Sequence, residues 1–258
     1  MSDDLRLAIV QPSYTTAIYS RDALINTQYT KRFKDVVIWG GGGSLLTLSH
    51  NLCWCYGLNG RSDGVTHLLM MHTDIAPKQK DWIDILYDEM AAAEADVLSV
   101  IVPIKSPFGL TSTAFDIDPW SPRRLTMTEA LALPKTWTAH NPDLLINTGL
   151  MLVDFRKPWV EPPFRFHVRD RIIRTPEGAW KPDVESEDWN ASRQMHKLGL
   201  RVFATRAVTL DHYGQMAYPN DEKWGAPIDP QTKSSSEILI ETADGEMQRL
   251  EKIVVQTE

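Results

Sequence analysis

The residues of this 258-residue chain best equipped for chemistry stand where apolar runs end. His72-Thr73-Asp74 closes the run from Val65 to Met71, just before a break at Ala76-Pro77. A carboxylate presented from rigid backbone is a hard oxygen ligand suited to Mn²⁺ or Mg²⁺ holding a diphosphate. An imidazole next to it offers a nitrogen ligand or a hydrogen-bond donor. The same Asp74 serves equally well as a cap for a segment starting near Pro77. Further on, Ser186-Glu187-Asp188-Trp189 sets adjacent acids at a helix start, where the dipole favours their ionised forms and where acids are common in any case. Asp211-His212-Tyr213-Gly214 puts an imidazole after a short apolar strand, the usual setting of a packed histidine. One strand-end Asp, one carboxylate pair and one strand-end His, in this order, say more together than separately.

The elements that must position these residues alternate. Leu5 to Val10 predicts a first strand, Arg21 to Phe33 a helix, Val36 to Trp39 a second strand and Leu45 to Leu58 a helix with apolar positions at helical spacing. His67 to Met71 is the next strand, Asp81 to Ala93 a helix, and Asp96 to Ile104 a strand apolar enough to be covered on both faces. Ser106 to Asn141 loosens into a long connection. Ile146 to Phe155 regains strand character, and Lys157 to Lys181 is irregular again. Asp188 to Leu198 predicts a helix capped by Ser186 and closed by Gly199. Arg201 to Phe203 and Ala207 to Leu210 follow as short strands. Glu237 to Val255, around Asp244-Gly245, suits a terminal hairpin or a helix. Such alternation predicts an α/β fold with a mostly parallel central sheet flanked by helices, with ligands beyond the carboxyl ends of its strands.

Composition narrows the class. Hydrophobic residues at 43% and charged residues at 24% are ordinary globular values, and a net charge of −7 lowers the expectation of non-specific attraction to nucleic acid. No apolar stretch is long enough to span a bilayer and the N-terminus lacks a signal-peptide pattern, so a cytoplasmic protein is expected. Cys53 and Cys55 lack partners at zinc spacing and point to different faces of any regular element, so both are expected as buried, reduced thiols. Gly40 to Gly43 invites a phosphate cradle but matches no phosphate-loop spacing, which favours a strand-to-helix turn.

At the level of motifs the chain resembles GT-A-fold glycosyltransferases of the family 2-like type, including small phage and bacterial enzymes and the mannosylglycerate-synthase-like group. The resemblance covers most of residues 5 to 214. It rests on Ile9-Val10-Gln11-Pro12-Ser13-Tyr14 as the nucleotide loop, and on Thr66-His67-Leu68-Leu69-Met70-Met71-His72-Thr73-Asp74 as the strand ending in a DXD-like motif. Thr148-Gly149-Leu150-Met151-Leu152-Val153, Ser186-Glu187-Asp188 and His212 complete it. His72 stands where the family usually has the first acid, and Ser49-His50-Asn51 lacks the family's Arg.

What the resemblance implies is a single Rossmann-like GT-A domain over 1–214, with 215–258 as an extension packed on it or trailing from it. The implied activity is metal-dependent transfer of a sugar from a nucleotide-diphosphate donor, such as a UDP- or GDP-sugar, to an acceptor hydroxyl. Asp74 and His212 would hold Mn²⁺ or Mg²⁺ with His72 assisting. Pro12, Ser13, Tyr14, Asn51, His72 and Asp74 would meet the donor, and Gly149 and Trp189 the acceptor. Asp188, with Glu187 as alternative, would take the acceptor's proton in an inverting enzyme, whereas in a retaining one these acids would bind the acceptor or the sugar. Competing expectations are a nucleotidyltransferase, disfavoured by the absence of a Gly-rich basic loop after strand one, and a non-catalytic nucleotide-sugar or carbohydrate-binding protein, motivated by His72. A modified nucleic-acid base as acceptor is a weaker expectation.

Overall fold

A computed structural model describes residues 4–13, 19–157, 164–214, 216–224 and 238–250. The first strand, β1 (Arg6–Ser13), turns Leu7 and Ile9 to one face and Ala8 and Val10 to the other, and all four are buried. The period-2 alternation of a strand thereby feeds two cores. After it come α1 (Arg21–Asn26), β2 (Asp35–Gly42), α2 (Leu46–Gly60), β3 (His67–Met71), β4 (Ile75–Pro77) and α3 (Trp82–Ala92). The helix expected through Phe33 stops at Asn26, and a single 3₁₀ turn, Thr27–Tyr29, follows.

Next are β5 (Val97–Val100), β6 (Leu110–Phe115), β7 (Arg123–Thr126), α4 (Met127–Ala132), β8 (Thr136–Asn141), β9 (Leu144–Leu145) and β10 (Leu150–Asp154). The stretch expected as one long connection therefore contains three strands and a helix whose Thr126 and Glu129 form a capping box. Then come β11 (Arg169–Arg174), β12 (Trp180–Glu185), α5 (Glu187–Lys197), β13 (Val202–Thr205), β14 (Leu210–Tyr213), β15 (Ala217–Pro219), β16 (Ile238–Thr242) and β17 (Met247–Leu250). Ser186 caps α5 by accepting from the Trp189 amide, and Gly199 takes the left-handed conformation that closes it, as expected. The strand expected over 207–210 begins only at Leu210.

The α/β class stands, but the mostly parallel sheet does not. The main sheet runs in the order β17-β16-β8-β13-β5-β10-β3-β1-β2. β1 is parallel to β2 and β3, and β13 to β5, whereas β10 inserts antiparallel between β3 and β5 and the β13-β8-β16-β17 end is antiparallel throughout. The sheet is mixed. An apolar run buried on both faces reads the same in either direction, so the burial of every residue in β3, β5 and β10 says nothing about orientation.

One face of the sheet packs Ala23 of α1 and Trp82, Ile83, Leu86 and Met90 of α3 against Leu7, Ile9, Leu69, Leu98 and Leu152. Trp82 is fully buried and donates its indole N–H to the Ala23 carbonyl at 3.1 Å, locking α3 to α1. Its truncation to Ala would cost about 3–5 kcal/mol. The other face packs Cys53 and Trp54 of α2, Ala130 of α4 and Ala191 and Met195 of α5 against Ala8, Val10, Met70 and Val153. Cys53 is buried as expected, but Cys55 is exposed, because residues two apart on a helix point some 200° around its axis. Gly41 permits the close approach of α2: a Cβ there would meet Cys53 Sγ at 2.6 Å. Among the described residues no helix is long and apolar enough to cross a membrane.

The inversion of β10 shapes one edge of the sheet. Because it runs against β3, its N-terminal end meets the carboxyl end of β3, and the His72 amide donates to the Gly149 carbonyl at 2.8 Å. Thr148 and Gly149 thus arrive beside His72.

Candidate functional site

Asp74 sits just past β3 in a cleft of about 480 Å³. The cleft is lined by Pro12 and Ser13 from β1, Gly43 and Ser44 after β2, Leu46 and Ser49 of α2, and Tyr19, which stacks on Tyr213 with centroids 4.9 Å apart. The α2 N-terminus has no side-chain cap, so backbone donors and the positive end of a helix dipole border this space. Antiparallel pairing of β4 with β14 sets His212 opposite Ile75, and the Tyr213 amide donates to the Asp74 carbonyl at 2.8 Å. That pairing brings together residues far apart in sequence.

Two cationic or potentially cationic groups converge on one oxygen of Asp74. Lys105 forms an ion pair with Oδ2, and His212 Nε2 lies 3.5 Å from the same atom. Burial works against ionising Asp74, but the hydrogen bonds from His212 and Lys105 overcome it and hold the carboxyl well below the usual carboxylate range. His212 Nδ1 donates to the Pro103 carbonyl at 2.6 Å, so Nε2 meets Asp74 as an N–H donor when the ring carries both protons and offers a lone pair to a cation when it carries one. Asp74 Oδ1 is buried without any hydrogen-bond partner. A lone-pair nitrogen, a carboxylate and an orphaned buried oxygen fit a hard or borderline divalent cation.

A second centre lies at the start of α5. Thr148 Oγ1 donates to Asp188 Oδ1 at 2.5 Å and stands 3.1 Å from His50 Nε2, which is 3.2 Å from His72 Nε2. His50 Nδ1 donates to the Leu46 carbonyl at 2.9 Å. With neutral rings, His72 Nε2–H donates to the bare His50 Nε2 and Thr148 donates to an ionised Asp188, which leaves the 3.1 Å contact between Thr148 Oγ1 and His50 Nε2 without a proton of its own. Burial lowers the pKa of His50, with Asp188 opposing. Burial of the inner edge of His72, helped by the facing His50, pushes it down to about 3. Neutral rings are the consistent state.

The carboxylates here behave oppositely to Asp74. Burial raises the pKa of Asp188, with the Thr148 hydrogen bond, His50 and Arg124 working against it. Glu187, also buried and beside Asp188, is pushed up to about 7. Behind them, buried Glu185 pairs with Arg169 and Arg193, and Arg193 also grips Asp116 at 2.7 Å. This anchors the middle of α5 to the loop after β6. Ligand atoms of His50, Glu187 and Asp188 lie within 4.8 Å of one another, a spacing open to a cation, although the Thr148 hydroxyl already stands between His50 and Asp188.

The expected site residues divide accordingly. Pro12, Ser13, His72 and Asp74 border the cleft, His212 reaches Asp74, and Glu187 and Asp188 form the second centre. His72 turns its Nε2 toward His50, not toward Asp74. Asn51 spends both ends of its amide on the Phe166 backbone, at 2.7 and 3.0 Å. Gly149 is buried, its missing side chain making room for Asn147 Oδ1, which would be 3.1 Å from a Cβ. Trp189 is buried, donates to the Ser112 carbonyl at 3.0 Å and carries the Arg124 guanidinium 4.4 Å over its ring. Tyr14 lies outside the described residues. Sequence reasoning missed Lys105, His50 as a contact of the second centre, Thr148 as the partner of Asp188, and Arg124. For Lys105 a signal existed: it closes the apolar run Val100 to Ile104 as His72 closes its own.

No family model matches the chain, and no curated protein matches it. Among solved structures, A197 from STIV is 12% identical with a TM-score of 0.47, covering 98% of each chain. An Entamoeba histolytica protein assigned as a UDP-N-acetylglucosamine pyrophosphorylase is 10% identical with a TM-score of 0.40, covering 79% of this chain and 74% of its own.

Proposed function

We propose that the protein is a glycosyltransferase of GT-A type that binds a nucleotide-diphosphate sugar in the Asp74 cleft and passes the sugar to an acceptor hydroxyl at Asp188. The observation that carries this reading is the pair of carboxylate centres at one edge of the sheet, linked through His72, His50 and Thr148, with opposite electrostatics. One is held ionised and faces open space, the other is held ready to accept a proton. Separating the pKa values of neighbouring acids in this way is how one site serves both ion binding and proton transfer.

The donor diphosphate lies along the uncapped N-terminus of α2, where backbone amides favour anions. Asp74 and His212 would hold Mn²⁺ or Mg²⁺, and the ion would supply electrophilic stabilisation of charge on the departing diphosphate. Asp188 accepts the acceptor hydroxyl's proton, its raised pKa making it a stronger base than a solvated carboxylate. Thr148 holds the reacting carboxylate oxygen in one direction. Glu187, pushed up to about 7 by burial and by Asp188, shares the proton affinity of the pair, while the Thr148 hydrogen bond favours Asp188 as its ionised member.

A melting screen of UDP-, GDP-, CMP- and dTDP-sugars, each with and without Mn²⁺, tests the donor assignment. Stabilisation by one donor class, strengthened by metal, is expected, since a ligand bound only to the folded state raises its melting temperature. If no nucleotide sugar shifts melting under any condition, the reading falls.

A further inference from the structure

We propose that Lys105 is a resident cation of the cleft: it neutralises Asp74 when no metal is bound, competes with the incoming divalent ion, and on displacement turns its ammonium to the donor diphosphate. This rests on the reading of the cleft as a nucleotide-diphosphate site.

Among the described residues lining the cleft, Lys105 is the one Lys or Arg. A cleft whose other formal charge is the Asp74 carboxylate would repel a diphosphate. With Lys105 on Asp74 the two cancel, which is neutrality and not attraction. With a divalent ion on Asp74, the carboxylate offsets half of the ion's charge and the ammonium is wholly free. The cleft then becomes cationic only when metal is present.

The geometry supports exchange at one atom. Lys105 and His212 Nε2 both address Asp74 Oδ2, while Oδ1 has no partner. An ion held by Asp74 and His212 would have to share that carboxylate with the ammonium, a like-charge contact that expels the lysine. The backbone need not move for this. Ile104 N–H donates to the Leu110 carbonyl at 2.8 Å, and Ser106 N–H donates to the Ile104 carbonyl at 2.7 Å, which pins the chain on both sides of Lys105. The flexible four-carbon stem does the moving. Gly214 gives it the room: a Cβ there would lie 2.9 Å from Lys105 Cδ and 3.3 Å from Cγ. A glycine two residues after His212 thus keeps the lysine beside the metal-binding histidine.

The test compares wild type with Lys105→Met, which keeps the stem and removes the charge. Mn²⁺ alone is titrated first, by calorimetry and by loss of the free-ion electron paramagnetic signal. The variant is expected to bind Mn²⁺ about five-fold more tightly, the scale set by release of a partly exposed ion pair. Inorganic pyrophosphate is then titrated at saturating Mn²⁺, where the variant is expected to bind about ten-fold more weakly for want of a charge-assisted contact. Unchanged or weaker Mn²⁺ binding in the variant overturns the competition, and unchanged pyrophosphate binding overturns the hand-over. Absence of Mn²⁺ binding in both proteins sinks the metal reading itself along with the competition. Measurable Mn²⁺ binding that ignores Lys105 sinks only this inference. Equal melting temperatures without ligand would show that the comparison is made on folded protein.

Discussion

Asp74 and Asp188 are both strand- or helix-terminal aspartates at the same edge of one sheet, and they are prepared for opposite work. Asp74 keeps one oxygen on Lys105 and near His212, with the Asp74 side chain 27% exposed, and it is held anionic. Asp188 has a hydroxyl as its close partner and a second acid as its neighbour in sequence, and burial makes its proton hard to remove. The difference comes from the partners, not from the residue type. A carboxylate matched by cations is a binder of charge; one matched by a neutral hydroxyl and desolvated is a base.

The comparison breaks first at Asp188. Asp188→Asn is expected to lower turnover by about 10²–10⁴-fold, the usual scale of a lost general base, while nucleotide-sugar affinity stays near wild type. Steady-state kinetics beside donor titration checks this, and equal losses in both would move Asp188 from chemistry to binding. Asp74→Asn strikes the other centre. It is expected to weaken Mn²⁺ binding by at least the roughly 10–100-fold seen when a mere supporting partner of a ligand is removed, and to leave metal-free folding intact.

Finer tests use pH. Thr148 stabilises ionised Asp188, so Thr148→Val should raise its pKa further. A base acts when deprotonated, so the rising limb of kcat/KM against pH should shift to higher pH, by about one unit for a lost hydrogen bond to a charged group. A profile that merely drops in height would make Thr148 structural only. The smallest expected effect concerns Glu187, whose pKa is raised in the folded state to about 7. The folded protein then binds more protons than the unfolded chain between the ordinary carboxylate pKa and about 7, so stability falls as pH rises through that window and stays lower above it. Glu187→Gln removes this cost. Its melting temperature should exceed wild type above pH 7, by about 2–4 °C for each kcal/mol recovered, and the gap should close toward pH 4.

Some of this could be read from residues alone. The end of β3 at His72, the Ser186 cap on α5 and the Gly199 stop follow from local rules, because caps and strand ends are decided within a few residues. The strands and helix between Leu110 and Asn141 were obscured by prolines, threonines and tryptophans, whose roles there depend on distant neighbours: β8 pairs with β13 and β16, and β6 with β9. Cys55 was misjudged for a similar reason, since its exposure depends on which side of α2 meets the sheet.

The sequence by itself determined that an apolar strand would end in a histidine and an aspartate, that a capped helix would begin with two acids, and that a histidine would follow a late strand. Tertiary structure alone decided their company. Reversal of β10 delivers Thr148 to Asp188 and His50, and the pairing of β4 with β14 delivers His212 to Asp74, where Lys105 also arrives. Strand direction and long-range register leave no mark in a period-2 pattern, and a carboxylate's pKa is set by whatever those choices bring within a few ångströms of it.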